Sequence, residues 1–108
     1  MKILTPGHRY VLDNFEQKDQ QGQTLQFIEK RVTEEGEPAV AGQLITVHDG
    51  TTNEEVLAML IDRLEFLYAK MASVETATAI VYCRGALDQL EKRTRNRKER
   101  GVEGTHQA

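Results

Sequence analysis

Asp49-Gly50-Thr51-Thr52-Asn53-Glu54-Glu55-Val56-Leu57 is the stretch on which the fold turns. Ahead of it, apolar residues come in short runs divided by turn formers. Behind it, they recur with the period of a helix. Asp-Gly is a turn pair, and Thr52 to Glu55 has capping-box spacing: the Thr52 hydroxyl can accept the Glu55 amide while the Glu55 side chain reaches back to the Thr52 amide. Glu54 and Glu55 also suit the positive end of a helix dipole. Leu57, Leu60, Ile61, Leu64, Leu67, Tyr68 and Met71 follow at helical spacing, so the first helix is expected to run to about residue 71.

Downstream, Ser73 is a second N-cap candidate with Glu75 in the first turn. Ile80, Cys83, Leu87, Leu90 and Thr94 mark one face of a second helix ending near Arg100, with Gly101 as its C′ residue. Two long helices joined by two or three residues make an antiparallel helical hairpin. Gly85 inside the second helix costs about 1 kcal/mol against Ala, which points to close approach of a neighbouring backbone.

Upstream, residues 8–15, 23–32 and 43–48 hold the β-branched and aromatic residues, with turn-rich stretches at 19–22 and 34–38 between them. Three short antiparallel strands are expected to form one small sheet. Ile28 breaks the alternation of Leu25, Gln26 and Phe27 and leaves the register of the second strand open. The expected class is α+β: an N-terminal antiparallel sheet region over 1–50, then a helical hairpin domain with a Gly-containing tail over 51–108, in an oligomer.

The oligomer is expected from size. A chain of 108 residues, 6% aromatic and without Trp, buries a thin core by itself, so a long helical element completes its core across a subunit interface. The one cysteine, Cys83, rules out an intrachain disulfide and an all-Cys metal cluster and points to a reducing compartment. No apolar run approaches a membrane span and no signal-peptide pattern opens the chain, so a soluble, cytosolic protein is expected.

Charge singles out the second helix's end. Residues 92–100 hold six cations and one acid, a net of +5, leaving −8 on the rest of a chain whose total is −3. An acidic body repels a long phosphate chain, so the block reads as a local anion site for one or a few phosphates. Arg93, Arg97 and Arg100 share one helical stripe. Guanidinium forks suit paired phosphate oxygens; the alternative is compensation of the helix dipole. Phe66 falls opposite the apolar stripe of the first helix, among Asp62, Arg63 and Lys70. It is a subunit contact, a stacking platform for a base, or an isolated surface ring. Gly101 to His106 offers backbone amides, the Thr105 hydroxyl and the His106 ring, or is a frayed tail. His8, His48 and His106 lack metal-ligand spacing, Cys83 lies on an apolar face without an evident activating base, and no GxSxG, Walker or dinucleotide motif occurs. No catalytic residue, metal or cofactor is expected.

The segments Asp49 to Leu57, Leu60 to Leu67 and above all Leu90 to His106 resemble the hairpin domain shared by phage Thoeris anti-defence and anti-CBASS sponge proteins. The pattern Arg93-Thr94-x-x-Arg97-x-x-Arg100-Gly101-Val102-Glu103-Gly104-Thr105-His106 carries the resemblance most specifically. Leu4 to Tyr10, Asn14-Phe15 and Gln23 to Ile28 resemble the β extension of the Thoeris branch. The resemblance implies a non-enzymatic sponge that binds, without cleaving, cyclic nucleotide immune signals. These are cyclic ADP-ribose isomers made by TIR-domain sensors, held in pockets between protomers lined by Phe66, Thr76, Arg93 and Arg97. Thr76 stands where relatives carry Asn. Some members also hold cyclic di- or trinucleotides, with a trinucleotide pocket that here corresponds to Arg97, Arg100, Gly104 and Thr105. The implied partners are these ligands and further copies of the chain, as dimer or hexamer, with no membrane and no long nucleic acid; the implied location is the cytoplasm of the infected bacterial host. The competing reading from the residues is a helical-hairpin nucleic-acid-binding or regulatory interaction protein.

Overall fold

A computed structural model of the chain describes residues 1–37 and 42–99. The order is β1 (Lys2–Thr5), β2 (Arg9–Val11), β3 (Thr24–Gln26), β4 (Glu29–Val32), β5 (Leu44–His48), α1 (Asn53–Lys70) and α2 (Val74–Glu99). The expected α+β class is observed. The chain divides into two compact units, one from Met1 to Thr52 and the other from Asn53 onward.

The first unit departs from the sequence reading: five strands form two sheets, where three strands in one sheet were expected. β1 was missed. It is joined to β2 by Thr5-Pro6-Gly7-His8, in which the His8 amide donates to the Thr5 carbonyl at 3.0 Å and Gly7 has φ +79°. Proline at the second position and a positive φ at the third define a type II turn, and that Pro-Gly pair was the available signal. β2 is shorter than the 8–15 run because Asn14 turns the chain, its amide donating to the carbonyls of Gln17 (3.3 Å) and Gln20 (3.4 Å). The chain returns at Gly22, where a Cβ would lie 1.6 Å from the Leu12 carbonyl oxygen; a glycine alone permits that approach.

The 23–32 run is two strands. β3 pairs antiparallel with β2, Tyr10 opposite Leu25, and the Tyr10 and Phe27 rings meet edge-on at 6.0 Å. At Phe27-Ile28 the chain changes partners: the Phe27 amide donates to the His8 carbonyl (2.7 Å), but the Ile28 amide donates to that of Thr51 (2.9 Å). β4 then pairs with β5, with an irregularity between Glu29 and Lys30. Two consecutive apolar residues, which broke the alternation in sequence, mark this handover. The β4–β5 connection is anchored by Thr33, which is buried and whose Oγ1 accepts the Gln43 amide at 3.1 Å. Arg31 holds Glu37 in a bidentate pair at 2.7 and 2.8 Å, and the Glu34 amide also donates to Glu37. These bonds, the Arg31 fork foremost, lower the Glu37 carboxyl from 4.5 to about 2.

The second unit follows the sequence closely. α1 begins just after Thr52, with Glu54 and Glu55 in its first turn. Ser73 is the N-cap of α2: its Oγ accepts the Thr76 amide at 3.1 Å, and its carbonyl accepts the Ala77 amide. Met71 to Ser73 form the connection, and Glu65 of α1 is ion-paired with Arg84 of α2, as an antiparallel hairpin requires. Ile80, Cys83, Leu87, Leu90 and Thr94, the face expected on α2, are all half-buried. The α1 stripe fares differently. Ile61, 7% exposed, is the one buried apolar side chain among the described residues, and Leu57 and Leu64 are half-buried, but Leu60, Leu67, Tyr68 and Met71 are exposed. At Gly85 the sequence expectation fails: an added Cβ would meet nothing within 4 Å, so no described backbone of this chain approaches it. The second helix's end near Arg100 and the C′ role of Gly101 lie outside the described residues.

Candidate functional site

The residues singled out by sequence lie on the hairpin. Phe66 projects from α1 with its ring 59% exposed, which follows from its place opposite the side that carries Ile61. The Lys70 ammonium lies over the ring, 4.7 Å from its centroid. Sequence placed Lys70 among the neighbours of Phe66; residues i and i+4 share a helix face, and that spacing was the signal for the contact.

Thr76 sits in the first turn of α2, half-buried. Its hydroxyl oxygen accepts a hydrogen bond from the Ser73 hydroxyl at 2.8 Å. The cap therefore occupies part of its hydrogen-bonding capacity, and one O–H donor and one further lone pair remain for anything else.

Arg93 and Arg97 lie four positions apart near the far end of α2, Arg93 exposed and Arg97 half-buried. Arg97 and Lys98 occupy the last turn, where cations complement the helix dipole; Arg93, a turn earlier, is less involved in that role. Arg100, Gly104, Thr105 and His106 lie outside the described residues.

The four residues do not form one site within a copy. Thr76 and Arg93 are separated by 17 positions of the same helix, roughly 26 Å at 1.5 Å per residue. Across the three-residue connection, Phe66, four positions before the end of α1, stands level with the first turns of α2, so Arg93 lies roughly 20 Å farther along the hairpin and Arg97 farther still. Phe66 and Thr76 thus belong to the turn half of the hairpin, and Arg93 and Arg97 to its open end.

A groove of about 440 Å³ opens at the turn, lined mainly by Tyr68, Val74, Ala77 and Val81. It is apolar and contains none of the four residues. Around it and along the outer faces, Met71 (81% exposed), Val74, Val81 and Tyr82 (73%) present apolar surface to solvent. Among the described residues, no three His, Cys, Asp or Glu side chains gather as metal ligands, and no helix is long and apolar enough to cross a membrane.

No protein-family model matches the chain. A curated protein does: "Thoeris anti-defense 1" of Bacillus phage SBSphiJ7, 39% identical over 79 residues, which cover 62% of this chain and 56% of the relative. The chain spans about half the length of that relative.

Proposed function

We propose that this chain is a phage anti-defence sponge that binds and sequesters, without cleaving, cyclic ADP-ribose isomers made by TIR-domain sensors, and so blocks Thoeris-type immunity. The observation that carries the reading is the division of the candidate residues along the hairpin. An exposed aromatic and a hydroxyl lie toward the turn, and an arginine pair suited to phosphates lies roughly 20–30 Å away. A second copy laid antiparallel along the first would bring the turn half of one against the open end of the other. Phe66 and Thr76 of one copy would then face Arg93 and Arg97 of its partner, twice per dimer. The apolar side chains left in solvent on both helices support such self-association, as dimer or hexamer. The similarity to a protein named for Thoeris anti-defence supports the biological role.

The energetics suit sequestration. A base stacked on an aromatic ring gains roughly 1–3 kcal/mol, and each charge-assisted bond from a guanidinium to a phosphate about 1.5–3 kcal/mol. Enclosure between copies adds burial on several sides, which is how a small protein reaches tight binding. Nothing need be accelerated; the protein must outcompete the effector for its signal. A second pocket for cyclic trinucleotides, which would extend the role to CBASS signals, is assigned to Arg97, Arg100, Gly104 and Thr105. The place of action is the cytoplasm of the infected bacterium.

The test is capture and release. The protein is incubated with TIR-derived cyclic ADP-ribose isomers and with cyclic oligonucleotides, separated from free ligand, and heat-denatured. Recovery of intact ligand supports sequestration. Recovery of altered nucleotide means catalysis, and no retention removes the reading; a salt-steep shift of duplex DNA would favour a nucleic-acid-binding regulator instead.

A further inference from the structure

The Lys70 ammonium covers the same ring on which a base would stack, and neither the aromatic platform nor the arginine pair explains it. We propose that Lys70 is a further ligand-contacting and specificity-determining residue: it lies on Phe66 in the empty protein, yields the ring face to an incoming base, and pairs with a phosphate carried by that base's own nucleotide. This rests on the sponge reading above and deepens it.

The argument is one of competing contacts and of reach. A cation over an exposed phenylalanine ring makes a weaker contact than a stacked base, so a nucleobase displaces it. The displaced ammonium stays close, because Lys70 is anchored one helical turn from Phe66 and swings on a flexible four-carbon stem with three donors. A negative group within a few ångströms of the stacked base is therefore within its range. The arginines of the same copy are not, standing roughly 20 Å or more beyond the ring's level. Arg63 is also exposed, one turn to the other side of Phe66 along α1. The consequence is selectivity. A phosphorylated ligand replaces the cation–ring contact with an ion pair, whereas an uncharged nucleoside of the same base loses that contact and gains no pair.

Lys70 is also the basic residue in the last turn of α1, so a purely structural role at the helix dipole must be separated from ligand contact. Calorimetry on the full chain compares wild type, Lys70→Ala and Lys70→Arg with a cyclic ADP-ribose isomer, and proton NMR follows the Lys70 ε-methylene. In the free wild type this methylene is shifted upfield by the ring, the shift is lost in Phe66→Leu, and ligand moves it downfield. Lys70→Ala weakens binding roughly fivefold with a shallower salt dependence, and Lys70→Arg stays within about twofold of wild type. Equal affinity of Lys70→Ala and wild type, or an unshifted methylene in the free protein, overturns the proposal. If wild type takes up no cyclic isomer, the sponge reading fails by itself. Titration with ADP and with adenosine then decides the Lys70 question: a Lys70 response to ADP that exceeds the response to adenosine supports it, and equal or absent responses overturn it.

Discussion

The two units of this chain use their residues in opposite ways. The β unit is shaped by backbone demands: a type II turn at Pro6-Gly7, a glycine at 22 pressed against the Leu12 carbonyl, a change of partner at Phe27-Ile28, and a loop held by Thr33 and the Arg31–Glu37 fork. Asn14, Arg31, Thr33 and Glu37 are engaged in making that shape. The hairpin needs little to hold its shape. Two helices, the second capped by Ser73, a short connection and one buried isoleucine suffice, and the rest of its distinctive chemistry, Phe66, Arg93, Tyr82 and Met71, faces outward. Where side chains are not required by the local fold, they are available to a ligand or to another copy. The candidate site accordingly lies on the hairpin.

The contrast can be broken most directly at Ile61. Its truncation to Ala is expected to cost about 2–4 kcal/mol and to lower the melting temperature markedly, read by circular dichroism; a loss below about 0.5 kcal/mol would mean that the hairpin is held by something other than its own interior. Next come the glycines. Gly22→Ala forces a methyl into the Leu12 carbonyl and should destabilise by about 1–3 kcal/mol, whereas Gly85→Ala should stabilise α2 by up to about 1 kcal/mol in thermal melts at low protein concentration. A Gly85→Ala protein that loses self-association in light scattering would show that a partner's backbone, absent within the chain, approaches there.

Arg93→Ala tests the outward-facing chemistry. It should leave thermal stability within about 0.5 kcal/mol and weaken binding of a cyclic ADP-ribose isomer tenfold or more, the loss of at least one charge-assisted bond. Unchanged calorimetric affinity would remove Arg93 from the site. The smallest effect is expected at Glu37. Its folded carboxyl is lowered to about 2 from 4.5, so the pair contributes in full above pH 4.5 and its contribution is lost as pH falls from there toward 2. The Glu34 amide, which donates to Glu37, should titrate with a midpoint near 2 by NMR; a midpoint near 4.5 would show that the fork is not formed in solution.

Much of the hairpin was legible in advance because capping and helical period are local. Ser73 was readable as a cap from its position, and Ile80, Cys83, Leu87, Leu90 and Thr94 as a face from their spacing. The sheets were less legible. β1 and β2 are too short to show alternation, and the break at Phe27-Ile28 is a choice between partners 19 and 23 residues away, His8 and Thr51, which no window of neighbours encodes. The exposed place of Phe66 was legible from helical phase, and the arginines near the end of α2 from residue type. Their separation along the hairpin was not, since it depends on the register between α1 and α2.

The sequence by itself determined where both helices begin, the Ser73 cap, the outward place of Phe66 and the concentration of positive charge toward the end of α2, because each follows from side chains within a few turns of one another. The tertiary structure alone decided that the strands form two sheets, that Gly85 meets no described backbone of its own chain, and that the aromatic and the arginines stand apart. Those outcomes depend on pairing and clearance between segments distant in sequence, set by geometry that no local pattern records.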